Sequence, residues 1–217
     1  MAGRFALTAA PEDVATRFGL AAVEAFPPRP LILPTQPIMV ILAGSEGRPD
    51  GFREGRSSLL VRWGLIPGWF RGDAALPALF NARAETAHDN AAFRGALRHR
   101  RCLVPASAFF RRSGGDGEGG GAAKGPMRSF HLADEPVFAM AGLMETYMAP
   151  DGSEIDTAAI LTAPTRNEDR ALVDRLPVTL APKGFARWLD CRGFTPDEVG
   201  DLLVAPEVDD FNVETVG

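Results

Sequence analysis

The stretch PIMVILAGSEGRPDGFREGRSSLLVRW, residues 37–63, contains two apolar segments separated by a run rich in glycine. The segments PIMVILA (37–43) and SSLLVRW (57–63) are rich in Val, Ile and Leu and have the length of ordinary β-strands. Residues 44–55 supply the Gly, Pro and Asp that favour turns. The stretch therefore predicts two strands joined by a turn.

Similar patterns continue on both sides of this stretch. Further strands are predicted at 101–110 (RCLVPASAFF), 138–145 (FAMAGLME) and 156–164 (DTAAILTAP). Helices are predicted at 11–25, 88–100, 167–174 and 182–190. Short strands mixed with scattered helices indicate an α+β fold with a curved, largely antiparallel sheet.

A glycine-rich segment, SGGDGEGGGAAKG at 113–125, stands between the strand-like segments FFRR and MRSFHL. Glycine loses much backbone entropy on ordering, and this segment has no apolar residue larger than alanine to bury in return. We expect a hairpin with a flexible tip, whose deletion over 115–123 changes the melting temperature little.

Length and composition are those of one globular domain: 217 residues, 46% hydrophobic and 24% charged. No apolar run is long enough for a membrane span, and the N-terminus lacks the pattern of a signal peptide. Cys102 and Cys191 are therefore expected to be free thiols in a cytoplasmic protein. No Cys/His cluster has metal-ligand spacing, so neither a metal nor another cofactor is expected.

The net charge of −5 argues against a general nucleic-acid binder, but the charge is unevenly distributed. The C-terminal segment 193–217 has seven acids and no Lys or Arg, so residues 1–192 carry a net charge of +2. The run from Arg94 to Arg101 contains four arginines and His99. This run is either a solvated helix end or a patch that faces phosphate groups.

Seven collinear segments resemble the SOS response-associated peptidase (SRAP) family. They are GRF (3–5), PTQ (34–36), WGLIP (63–67), NARAET (81–86), RCLVPA (101–106), AGLME (141–145) and DRLPV (174–178). The resemblance covers nearly the whole chain and implies a single SRAP-like domain over 1–217, with a barrel-like sheet and peripheral helices. It also implies a role in the DNA damage response, with single-stranded DNA, including strands with abasic sites, as the partner.

The family's chemistry, as the resemblance implies it, begins with a cysteine after the initiator Met. Its amine and thiol close a thiazolidine on the ring-opened sugar of an abasic site, assisted by an asparagine, a glutamate and a histidine. The corresponding positions here are Ala2, Asn81, Arg111 and Val173, and only Asn81 keeps the family residue. Without the thiol no thiazolidine can form, and neither Arg111 nor Val173 can act as a base. The replacement of Glu by Arg also predicts a more positive pocket.

The positions predicted to bind DNA are Arg4, Trp63, Arg83 and Arg175, of which Arg83 and Arg175 match family positions that approach DNA phosphate. Trp63, Arg83 and Arg175 also have interpretations that do not involve DNA. A Trp beside Gly-Leu-Ile-Pro can be a core residue, whereas an accessible Trp63 or Trp69 can stack on an unpaired base. The arginines 83 and 175 contact phosphate or form ion pairs with Glu85 or Asp174. Cys102 is expected to be a buried structural thiol.

Three hypotheses follow for function. In the first, the chain binds single-stranded DNA but lacks crosslinking and peptidase chemistry, as a pseudoenzyme. In the second, removal of Met1 exposes the Ala2 amine, which forms a reversible Schiff base with the aldehyde of an abasic site. In the third, the chain is a protein-interaction module that uses its acidic C-terminal segment and its glycine-rich hairpin.

Overall fold

The computed structural model describes residues 3–21, 23, 25–44, 55–72, 79–112, 125–132, 135–165 and 173–216. Its strands are β1 (Phe5–Leu7), β2 (Arg29–Ile32), β3 (Pro37–Ala43), β4 (Arg56–Trp63), β5 (Asn81–Arg83), β6 (Arg101–Ala106), β7 (Ala108–Arg112), β8 (Met127–Leu132), β9 (Phe138–Met148), β10 (Glu154–Pro164), β11 (Arg175–Pro177), β12 (Thr179–Leu180) and β13 (Phe211–Val216). The α-helices are α1 (Pro11–Phe18), α2 (Arg94–His99) and α3 (Pro182–Leu189). Short 3₁₀ turns lie at Ala84–Thr86, Asp197–Leu202 and Val208–Asp210.

Five strands close into a barrel in the order β10-β4-β3-β6-β9, because β9 also pairs with β10. All these pairings are antiparallel except that of β4 with β10. Strand β5 continues alongside β10 beyond the end of β4, also in parallel, and β11 and β12 extend the sheet on the antiparallel side. The expected α+β class and the curved, largely antiparallel, barrel-like sheet are thus confirmed.

A second sheet has the strand order β13-β8-β7-β1-β2 and is wholly antiparallel. The expectation of one strand over 101–110 is wrong, because the chain leaves the barrel after Ala106 and enters this sheet at Ala108. Ser107 lies between the two strands and bonds to the segment that follows β1. Its backbone N–H donates to the Ala6 carbonyl, and its hydroxyl accepts from the N–H groups of Thr8 and Ala9 at 3.1 and 3.0 Å.

Aromatic side chains join the second sheet to the barrel. Phe109 of β7 stacks on Phe130 of β8 at 4.8 Å between ring centroids and meets Phe211 of β13 edge-on at 5.2 Å. Phe138 of the barrel strand β9 lies edge-on to Phe109 at 6.3 Å. All four rings are buried. Strand β13 therefore anchors part of the acidic C-terminal segment, which packs against the protein instead of extending as a tail.

The helices are shorter than the sequence pattern predicts. α1 ends at Phe18 because Gly19 adopts a left-handed conformation, φ 63°, which terminates a helix. α2 begins only at Arg94, so the predicted start at residue 88 is wrong. α3 matches its prediction and buries Phe185, Trp188 and Leu189 against the barrel.

Several predictions lie outside the described residues. These are residues 113–124 of the glycine-rich segment, Ala2, and residues 167–172 of the expected helix 167–174. The last two residues of that helix, Val173 and Asp174, are described and are not helical. On either side of the glycine-rich segment, β7 and β8 pair antiparallel, with Arg112 opposite Met127. In the described part of the chain, no helix is both long and apolar enough to cross a bilayer.

Candidate functional site

Strand β10 brings two of the family-like motifs together near its C-terminal end. Thr162 pairs with Arg83 of β5 on one edge and with Pro177, the last residue of β11, on the other. Asn81 lies opposite Ile160 in the same pairing with β5. The Asn81-Ala82-Arg83 motif and the Val173-Asp174-Arg175 motif therefore flank one strand, although about 90 residues separate them in sequence.

The chain near the N-terminus joins this region through Gly3 and Arg4. The Arg4 carbonyl accepts a hydrogen bond from the N–H of Phe110, the residue before Arg111. A Cβ atom on Gly3 would lie 3.9 Å from the ring of Phe80, the residue before Asn81. The described chain thus starts between β5 and β7, beside two of the positions that the resemblance implies are catalytic. Ala2 itself lies outside the described residues.

Arg111 projects from β7 into this region and is only 5% exposed. Its Nη2 donates a charge-assisted hydrogen bond to Oδ1 of Asp174. The expected gain of positive charge is therefore offset by a neighbouring carboxylate. Nothing in the sequence indicated that Arg111 and Asp174 would pair, because the contact joins β7 of the second sheet to the residue before β11.

Val173 is fully buried beside this ion pair. Its carbonyl accepts from the Thr165 hydroxyl at 2.6 Å, and the Thr165 N–H donates to the Asp174 carbonyl at 3.0 Å. Backbone hydrogen bonds thus hold the segment before β11, while the Val173 side chain offers no group that can transfer a proton.

Arg175 forms the second ion pair of the site. Its two terminal nitrogens lie 2.6 and 2.8 Å from the two carboxylate oxygens of Glu85, and Nη2 also donates to the Thr162 carbonyl at 2.7 Å. The hydrogen bond from Arg175 lowers the pKa of Glu85. Of the alternatives left open for Arg175, the structure thus contains the ion pair with Glu85.

The remaining arginines of the site, Arg4 and Arg83, are exposed. Arg83 projects from β5 one residue before the turn that holds Glu85, and Arg4 directly precedes β1. With Arg111 and Arg175 held by carboxylates, Arg4 and Arg83 are the cations of the predicted set that are accessible to a ligand.

Trp63 cannot stack on a DNA base in this conformation, because its side chain is fully buried. Its indole N–H donates to the Phe80 carbonyl at 2.8 Å, and its ring lies edge-on to Phe5 at 5.0 Å between centroids. The DNA-binding interpretation of Trp63 is therefore replaced by the core alternative. Trp69, in contrast, is 59% exposed.

The basic run before β6 does not form one continuous patch. Arg101 is 2% exposed and donates to the carbonyls of Leu97, Trp188, Asp190 and Phe194. Arg94 and Arg98 are exposed on α2. Arg101 thus ties β6 to α3 and to the residues after it, a structural role that the sequence pattern did not reveal.

Cys102 is fully buried, and burial raises the pKa of its thiol well above the ordinary range. This burial agrees with the predicted structural role. The described residues contain no cluster of three or more His, Cys, Asp or Glu side chains that could hold a metal ion.

Comparison with known proteins identifies the lineage. The family model described as SOS response associated peptidase (SRAP) matches residues 1–217. The chain belongs to this family. It is 32% identical over 221 residues to the abasic site processing protein YoaM of Bacillus subtilis, covering 100% of this chain and 91% of YoaM. It is 26% identical over 169 residues to the abasic site processing protein HMCES of Gallus gallus, covering 70% of this chain and 50% of HMCES.

Solved structures share the SRAP chain's fold. A protein of Bacteroides thetaiotaomicron superposes with a TM-score of 0.81 at 22% identity, covering 99% of this chain and 91% of that protein. A protein of Bordetella bronchiseptica gives a TM-score of 0.77 at 24% identity, covering 99% of each chain. At these identities the likeness establishes the architecture of barrel and second sheet.

Proposed function

We propose that this SRAP chain binds single-stranded DNA, including strands with abasic sites, and forms no stable covalent crosslink with them. Support for the ligand comes from the relatives, whose names describe abasic site processing. Support for the place comes from the convergence of Gly3-Arg4, Asn81-Ala82-Arg83 and Val173-Asp174-Arg175 around the end of β10.

Binding rests on two accessible cations of this region and on one exposed aromatic ring in the segment after β4. Arg4 and Arg83 are exposed cations that can contact successive phosphates. The exposed ring of Trp69 offers a face for stacking an unpaired base, which is worth about 1–3 kcal/mol per base in single-strand binding. Unpaired bases are accessible for stacking only in a single strand, so we expect duplex DNA to bind no better.

The proposal that the chain lacks crosslinking chemistry rests on one observation, the ion pair between Arg111 and Asp174. General acid–base help requires a group that gains and loses a proton near neutral pH, and a guanidinium does not. Arg111 occupies the position that resembles the family's glutamate, and its contact with Asp174 also engages the neighbouring carboxylate. With alanine at position 2, the chain has no thiol there to close a thiazolidine.

A reversible reaction through the amine of Ala2 is a second candidate, favoured by the position of Gly3 against Phe80. If Met1 is removed, an α-amine with a pKa near 7.7–8.0 can add to an aldehyde, with loss of water, to give an imine. Borohydride reduction would trap this imine as a secondary amine. The imine should hydrolyse in water when no reductant is added.

Fluorescence anisotropy with a labelled 20-nucleotide strand tests the binding proposal. We expect measurable affinity at low salt, with a log–log salt slope of about −0.7 for each phosphate neutralised. The substitution Arg83→Glu should weaken binding about tenfold, whereas Arg83→Lys, which keeps the charge, should change it little. Absence of binding at low salt, or equal affinity of all three proteins, would contradict the proposal.

A further inference from the structure

A large groove lies at the opposite end of the barrel from the candidate site. Its volume is about 1340 Å³, and it is formed by the end of β3, the start of β4, the start of β6, helix α3 and residues 190–194. Strand β4 connects the two regions: Arg56 lines the groove, whereas the Trp63 indole bonds to Phe80 beside Asn81. At roughly 3.3 Å per residue, the strand separates them by roughly 20 Å.

The groove is strongly basic in an acidic protein. Its described lining contains seven side chains that are or can become cationic: Arg56, His99, Arg100, Arg101, Lys183, Arg187 and Arg192. The acid in that lining is Asp190. Two neighbouring acids pair with the rim, Glu145 with Arg100 and Asp201 with Arg187. Among the described residues of the groove and its rim, an excess of positive charge remains, while the whole chain carries −5, and a concave basic surface focuses the field that attracts anions.

Two of these cations are fixed in place by the fold. Arg101 donates to four carbonyls, and the nearby Asp190 carboxylate stabilises its charge. Arg56 donates to the Phe18 carbonyl at 2.8 Å and lies over the ring of Phe185. Lys183 and Arg192 are exposed at the groove.

The size and lining of the groove fit an extended ligand with both phosphates and apolar parts. Apolar side chains share the lining with the cations: Leu42, Met144, Leu189 and Phe194. The volume exceeds the range of about 300–1,000 Å³ that is typical of small-molecule sites. Several linked nucleotides offer the matching chemistry, since their phosphates face cations and their bases pack on apolar and aromatic groups.

We propose that this groove binds a second segment of single-stranded nucleic acid, through phosphate contacts from Lys183 and Arg192. This inference rests on the proposed function, because the strand held at the candidate site is the ligand that would continue around the barrel. A strand held at both ends of the barrel would have a longer footprint and a steeper salt dependence than either site alone.

The reactivity of a cysteine in the groove can show whether the groove is occupied. Cys191 lines the groove and is half-buried, whereas Cys102 is fully buried. Burial also keeps the Cys102 thiol protonated and unreactive. Alkylation by iodoacetamide, followed by mass spectrometry of the two cysteine peptides, therefore reports on the groove alone.

The experiment compares the full-length protein with two double variants. A 20-nucleotide oligothymidylate should slow Cys191 alkylation at least threefold in the unmodified protein. Lys183→Glu with Arg192→Glu should remove this protection and make the salt slope of binding shallower by about 1.4, the contribution of two phosphates. Lys183→Arg with Arg192→Lys should keep both properties, because it conserves the charges.

Failure of this inference differs from failure of the proposed function. Arg83→Glu should weaken binding at the candidate site, yet saturating oligonucleotide should still protect Cys191. Unchanged alkylation together with an unchanged salt slope in the Glu double variant would overturn the groove proposal. Equal protection by ATP or by inorganic phosphate would also overturn it, since the groove would then bind a small anion. If Cys191 is not alkylated in the free protein, the salt slope of the Glu double variant alone tests the groove proposal, and an unchanged slope overturns it.

Discussion

Arg111 and Asp174 place opposite charges against each other in a largely dry region of the protein, and this contact governs both stability and chemistry at the site. Arg111 is 5% exposed, and the Asp174 side chain is 30% exposed. Burial of either charge without its partner is costly, because desolvation is no longer offset by attraction. The two residues therefore have to be altered together, even though they are 63 positions apart in sequence.

Removal of one partner should cost more than removal of both. We expect Arg111→Met to reduce the free energy of unfolding by about 2 kcal/mol, less than for a fully buried pair because Asp174 is partly solvated. Asp174→Asn should cost a similar amount, and the double variant should be more stable than the sum of the two losses predicts. Urea unfolding monitored by tryptophan fluorescence measures this cycle. Strictly additive losses would show that the contact contributes nothing.

The ion pair of Glu85 with Arg175 should appear in the pH dependence of stability. Because the Arg175 hydrogen bond lowers the folded-state pKa of Glu85, its stabilisation is fully present above the unfolded pKa of about 4.3 and is lost as the pH falls through the folded pKa. Glu85→Gln should therefore be less stable than the unmodified protein at pH 7, by less than about 1 kcal/mol.

Thermal melts at pH 7 and pH 3 check this sign. The difference in melting temperature between the two proteins should be smaller at pH 3 than at pH 7, because the stabilisation by the ion pair is lost as Glu85 takes up a proton. A difference that grows on acidification would contradict the assigned direction. Glu198→Gln is a suitable comparison, because the pKa of Glu198 is lowered by local hydrogen bonds from Thr195 and not by an arginine.

At the scale of elements, the passage from barrel to second sheet depends on one serine. The Ser107 hydroxyl accepts from two backbone N–H groups of the segment after β1. Ser107→Ala would leave those donors without this acceptor in a buried environment, so we expect a loss of about 1–3 kcal/mol in unfolding free energy. Ser153→Ala is the matched control, since Ser153 is exposed and should change stability little. Equal denaturation midpoints for the two variants would contradict the role given to Ser107.

Strand β6 shows why such elements are only partly predictable. Alternating and continuous apolar runs revealed β3, β4, β9 and β10, because these strands are long and contain the barrel core. The run 101–110 has the same composition throughout, and its division between two sheets depends on the distant segment after β1. Strands β5, β11 and β12 have only two or three residues each and are defined by their partners in space. Local pattern carries no information about such pairings.

The candidate site was predictable to the extent that its residues belong to motifs. The resemblance implied that Asn81, Arg111 and Val173 belong together, and the structure places β5, β7 and the residues before β11 around one region. The engagement of Arg175 with Glu85 and the burial of Trp63 were open alternatives, since both depend on packing between segments far apart in sequence. The pairing of Arg111 with Asp174 could not be derived from the sequence around either residue.

At the scale of the whole molecule, the barrel separates two surfaces that both have an excess of positive charge among the described residues. The candidate site combines two arginines held by carboxylates with two exposed ones, and the opposite groove has more cations than acids in and beside its lining. Long-range attraction of an anionic strand would therefore be directed to both surfaces.

The absence of crosslinking is the prediction that tests the whole assignment. Incubation of the unmodified protein with abasic single-stranded DNA should give no band that survives heating in denaturing gels, and at most slow borohydride trapping. Ala2→Cys alone should crosslink only sluggishly, since general acid–base help worth about 10²–10⁴-fold is missing.

Restoration of that help requires coordinated changes around Asp174. Arg111→Glu alone would set two carboxylates against each other and should destabilise the protein, because like charges at this range repel. Addition of Val173→His supplies an imidazole that can carry a proton or a positive charge near these two carboxylates. The triple variant with Ala2→Cys should therefore crosslink faster than Ala2→Cys alone. Ala2→Ser with the same two changes is the matched control, since a hydroxyl is a far weaker nucleophile than a thiolate. A rapid, heat-stable crosslink formed by the unmodified chain would overturn the proposal, because the nucleophile would then lie outside the residues considered for this site.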